Sequence, residues 1–97
     1  MDLQGTWVSK DDKYEMNIEA GIEGDFPFSV QMPIAGSVKG VLKKGELAHL
    51  KFEVNNTPVF VYLFVARLPS GQIEIKGTGR STGRFKGDIP NVILTRN

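Results

Sequence analysis

Apolar and polar positions alternate along nearly the whole of this 97-residue chain. Tyr14, Met16, Ile18 and Ala20 share one face of a seven-residue run, the period of two expected of a half-buried strand. Phe26, Phe28, Val30 and Met32 repeat the pattern, with Pro27 placed early, where a missing N–H is tolerated. Val38, Gly40 and Leu42 form one face of a fourth run. Ala48, Leu50, Phe52 and Val54 form the inward face of a fifth, which leaves His49, Lys51 and Glu53 outside. Residues 59–68 are apolar on both faces apart from Arg67. Residues 4–9, 73–76 and 92–95 read as the remaining strands. Turn-forming residues fill the gaps: Lys10-Asp11-Asp12-Lys13, residues 21–25, residues 33–36, Lys43-Lys44-Gly45-Glu46, Asn55-Asn56-Thr57-Pro58 and Pro69-Ser70-Gly71-Gln72. No window carries a capped apolar stripe at helical spacing.

Eight short strands joined by short turns predict an all-β fold, because short turns force sequential neighbours to pair antiparallel. Such a sheet must dispose of its two edges, and closure into a small eight-stranded, mostly antiparallel, up-and-down β-barrel does so. Trp7 on the first strand and Arg96 on the last then become neighbours. The length suits one domain spanning residues 1–97.

Gly5-Thr6-Trp7 near the front and Arg96 near the end also carry a family resemblance. The chain resembles the calycin group: lipocalins, fatty-acid-binding proteins, avidins and small bacterial metalloprotease inhibitors. These share Gly-x-Trp on the first strand and a basic residue on the last that packs over the Trp. The resemblance implies a structural role for Trp7 and Arg96, the guanidinium stacking on the indole at the barrel floor. It also implies a barrel that binds a small ligand or a protein partner.

The chain has no cysteine, so disulfides, thiolate chemistry and Cys-ligated metal sites are excluded. This fits a reducing cytoplasm, and a bacterial periplasmic or secreted setting stays open if a signal peptide was removed. The longest apolar run is too short to span a bilayer as a helix. Charge is uneven. Residues 1–37 hold seven acidic groups and two lysines, whereas residues 38–97 hold ten basic and four acidic groups. A barrel either mixes these halves over its surface or sets a basic face opposite an acidic one.

No catalytic signature emerges, and the protein is not expected to be an enzyme or to need a cofactor. His49 is the lone histidine, on the polar side of its strand, with no nucleophile or second ligand linked to it by spacing. The carboxylates fall at turns or on outward positions rather than as a pair in a cleft. Residues 77–91 form a glycine-rich basic stretch. Arg80, Arg84 and Lys86 could meet an anion or a protein partner there, or the stretch is an ordinary hairpin loop. It lacks the spacing of a P-loop or a dinucleotide fingerprint. A nucleic-acid partner is not expected, since the net charge is only +1 and no aromatic residue except Phe85 interleaves with these basic residues.

An eight-stranded barrel is just wide enough to fill with side chains or to hold one small ligand. The leading expectation is a lipocalin-like binding protein for a small apolar or amphipathic molecule. The candidate interior lining is Phe28, Met32, Phe52, Phe60, Tyr62 and Phe64. The alternative is a protein-binding module or inhibitor that uses loop 77–91 as its contact and the barrel as a filled scaffold. Inward residues of this size leave little free volume. The second apolar face of residues 59–68 is expected to mark a contact, with a homo-dimer or another protein.

Overall fold

The computed structural model describes residues 3–81 and 87–97. Eight strands appear: β1 (Gly5–Ser9), β2 (Glu15–Ile18), β3 (Phe26–Met32), β4 (Gly36–Leu42), β5 (Leu47–Val54), β6 (Thr57–Arg67), β7 (Ile73–Ser81) and β8 (Gly87–Arg96). They form one sheet in the order β4-β3-β2-β1-β8-β7-β6-β5, with every pair antiparallel. The result is the expected all-β architecture, a nearly closed up-and-down barrel.

Turn chemistry explains the hairpins. Lys44 and Gly45 both take positive φ, at 54° and 65°, and the Glu46 N–H donates to the Lys43 carbonyl at 3.0 Å. Asn55 and Asn56 do the same at 51° and 64° between the paired Val54 and Thr57. Two successive positive φ values twist a two-residue loop in the sense that antiparallel strands require, and Asn and Gly adopt them at least cost.

The chain ends meet. Trp7 pairs in register with Arg96, and the Asn97 N–H donates to the Thr6 carbonyl at 2.9 Å. The seam of the barrel lies elsewhere. β4 and β5 share only the Lys43↔Leu47 bridge at their turn, and no ladder continues beyond it. The barrel therefore keeps two strand borders that the expectation of full closure had removed.

The stretch 77–91 is largely strand, not loop. Gly77 to Ser81 belong to β7, and β8 begins at Gly87. Between Gly77↔Val92 and Gly79↔Ile89, β8 uses one residue more than β7. Pro90 falls in this bulge, where a strand accommodates a residue without an N–H.

The core runs along the barrel interior, and its largest fully buried side chains gather toward one end. Trp7, Met16, Leu42 and Ile75 are fully buried there, and Leu3 folds over the end with them. The Trp7 indole N–H donates to the Leu3 carbonyl at 3.0 Å, so burying the ring leaves its donor satisfied. The Arg96 guanidinium stands 4.7 Å from the indole centre at the rim.

Candidate functional site

In a meander, alternate connections emerge at the same end. The β1–β2, β3–β4 and β5–β6 turns therefore ring the end opposite Trp7. The barrel is hollow there, with a cavity of about 360 Å³. Leu50, Leu63 and Leu94 line its deep part. Tyr14, Met32, Phe52, Val54 and Val92 line its walls, and Pro33, Ile34, Ala35 and Asn55 frame its mouth. The lining is almost wholly apolar.

The space exists because neither β6 nor β7 presents aromatic rings inward: β6 contributes the aliphatic Val59, Val61 and Leu63, and β7 contributes Gly77 and Gly79. A Cβ on Gly77 would already lie 2.9 Å from Leu63 Cδ2. The expectation of a crowded interior assumed larger side chains at these positions.

Met32 and Phe52 line the cavity, as expected of interior residues. Phe28 is buried beyond the lining, beside Gly40, whose hypothetical Cβ would lie 2.7 Å from the Phe28 ring. Phe60, Tyr62 and Phe64 correct the interior assignment: they point outward and are 38%, 47% and 39% exposed. The reason is register. The two-residue Asn55-Asn56 turn pairs Val54 with Thr57, so Phe52 pairs with Val59 and Leu50 with Val61. Directly paired residues share a face, so the clean alternation of β5 decides which side of β6 is inside. That signal was already in the sequence. Arg80 lies on the outer side of β7, opposite Phe60, so it does not face the cavity. Arg84 and Lys86 lie outside the described residues.

The mouth carries a strained residue. Ile34 has φ of 68° and is 87% exposed, and the Ala35 N–H donates to the Pro33 carbonyl at 2.7 Å. This three-residue turn places a β-branched side chain in left-handed backbone, where the Cβ clashes with its own carbonyl. Ile34 is thus an exposed apolar residue held on the rim of the cavity at a conformational cost.

Ser9 anchors the β1–β2 turn. Its hydroxyl donates to Asp11 Oδ1 at 2.7 Å and accepts from the Tyr14 N–H at 3.0 Å. The Lys13 N–H also donates to Asp11 Oδ1, at 3.1 Å. The Ser9 hydrogen bond first, then that of Lys13, holds the Asp11 carboxyl below its ordinary value of 3.8. The network fixes the start of β2 and with it Tyr14 at the cavity wall.

No helix among the described residues is long and apolar enough to cross a membrane. No family model matches the chain, nor does any curated protein or solved structure.

Proposed function

We propose that this protein is a non-enzymatic, lipocalin-like binder of one small apolar or amphipathic molecule, held in the open end of the barrel. The observation that carries the reading is the apolar cavity of about 360 Å³. It falls at the lower end of the size range of small-molecule pockets, roughly 300–1,000 Å³. At the roughly 30 Å³ that a water-sized group takes in a liquid, it suits a guest of about a dozen non-hydrogen atoms. An apolar lining offers water few partners, so replacing water with a hydrocarbon guest is favourable. Val54 and Phe52 on one wall and Met32 on the other give the guest wide apolar contact. Asn55, Thr57 and Tyr14 near the mouth suit a single polar end. The Gly-x-Trp and Arg96 pattern agrees with kinship to the calycins, whose barrels serve this purpose. A plain protein-binding scaffold called for a filled interior instead.

The test is a titration with 1-aminonaphthalene, a fluorescent guest of the right size. Saturable, one-to-one enhancement is expected, and it should vanish in Val61→Phe, whose ring would occupy the cavity. Failure of the folded wild-type protein to take up this probe or medium-chain alcohols such as octanol would refute the proposal.

A further inference from the structure

The outer surface of β5, β6 and β7 has a composition unlike the rest of the barrel. Phe60, Tyr62 and Phe64 occupy three successive outward positions of β6. Cross-strand pairing places a polar or basic residue beside each ring. Lys51 and Arg80 flank Phe60, His49 and Thr78 flank Tyr62, and Leu47 and Lys76 flank Phe64. These nine outward positions hold three aromatic rings, three permanent cations and no carboxylate. The nearest acids along the strands are Glu53 and Glu74, each one outward step beyond the block, and Asp88 pairs across β8 with Arg80. Side chains already engage the rings: Lys51 Nζ lies 5.7 Å from the Phe60 centre, and the His49 ring meets the edge of Tyr62 at 4.6 Å.

Topology amplifies the charge. A meander maps the two halves of a sequence onto two sides of the barrel. Residues 1–37 build β1 to β3, across the ring from β5 to β7, with Glu15 inside those strands and Asp11, Asp12, Glu19, Glu23 and Asp25 in the segments that flank them. The cations Lys51, Lys76 and Arg80 thus lie beside the rings, with acids only at the edges of the block. Two copies meeting symmetrically through it would bring cation against cation, which disfavours the homo-dimer expected from the apolar strip. A polyanion with flat apolar faces satisfies both features at once. Single-stranded nucleic acid is such a partner: its bases stack on exposed rings and its phosphates follow the flanking cations.

We propose that the outer face of β5–β6–β7 binds single-stranded nucleic acid, with bases stacked on Phe60, Tyr62 and Phe64 and phosphates held by Lys51, Lys76 and Arg80. The interleaving of rings and cations that the linear sequence lacks is supplied laterally, by strand pairing. The site is separate from the cavity, on the opposite face of β6 and built from the alternate residues of that strand, and does not depend on the cavity being filled.

The experiment measures fluorescence anisotropy of a labelled 12-nucleotide oligothymidylate and of an abasic oligomer of the same length. The oligothymidylate is expected to bind at least roughly tenfold tighter than the abasic strand, because stacking needs bases. Three phosphate contacts predict a slope of about −2 for log affinity against log salt. Phe60→Ala with Tyr62→Ala should weaken binding at least roughly tenfold, and Lys51→Ala with Lys76→Ala should flatten the salt slope. Circular dichroism and 1-aminonaphthalene uptake, both expected to match wild type, certify that these variants remain folded. Equal affinity for the abasic strand, equal displacement by polyglutamate, or a self-associated dimer that excludes the oligonucleotide would each overturn the proposal.

Discussion

Val61 and Tyr62 are consecutive residues whose side chains lie on opposite sides of the barrel wall. Val61 is 9% exposed and borders the cavity, whereas Tyr62 is 47% exposed and stands against the His49 ring. One apolar strand thus serves two surfaces. Its aliphatic side shapes the hollow and its aromatic side faces solvent.

This division predicts sharply different costs for neighbouring truncations. Leu63→Ala removes a buried side chain beside the cavity and should cost about 2–5 kcal/mol. Tyr62→Ala removes a half-exposed ring and one cross-strand contact, and should cost under about 1 kcal/mol. Urea denaturation of both variants checks the register: equal losses would contradict it.

Trp7→Ala should destabilise by about 3–5 kcal/mol, the usual cost of deleting a large buried ring. Arg96→Ala should cost only about 0.5–1 kcal/mol, because the guanidinium sits exposed at the rim. The ranking, read from denaturation midpoints, distinguishes a roofed indole from one held mainly by the cation.

Ile34→Gly should raise stability by about 1 kcal/mol, since glycine adopts positive φ without the Cβ clash. The same change should weaken uptake of 1-aminonaphthalene by removing an apolar group from the mouth. Thermal melting and the probe titration measure the two effects in one sample. A loss of stability would show that the Ile34 side chain supports the fold.

Asp11 gives the pH dependence. Its folded carboxyl is held below 3.8 by the Ser9 and Lys13 hydrogen bonds. The stabilisation is therefore complete well above that value and is lost as pH falls through the lower folded value. Asp11→Asn should be less stable than wild type at pH 6, and the gap should close on acidification. A gap that is constant with pH would assign the effect to the loss of turn geometry rather than of charge.

Much of the frame was legible in the residues. The alternation at Tyr14, Met16 and Ile18 and the Asn55-Asn56 turn express purely local rules, and both reappear in the strands. The pairing of Trp7 with Arg96 is long-range, yet the need to bury sheet edges made it foreseeable. The stretch 77–91 misled because glycine and arginine resemble loop composition, whereas here Gly77 and Gly79 face the hollow within a strand. The cavity was hidden for a related reason. Free volume depends on which face of β6 turns inward, and that is decided by its partner β5 rather than by β6 itself.

The missing ladder between β4 and β5 has a mechanical consequence. Elsewhere, widening the barrel would mean severing rows of backbone hydrogen bonds. At this slit, beyond the Lys43↔Leu47 bridge, it costs only side-chain contacts such as that of the Leu50 side chain against the Gly40 backbone. The girth of the barrel is accordingly least constrained along one line, and under the proposed binding function guests somewhat bulkier than the resting hollow would be expected to part those two borders. Backbone amides along them should be the first to exchange with deuterated water when the empty protein is compared with the filled one.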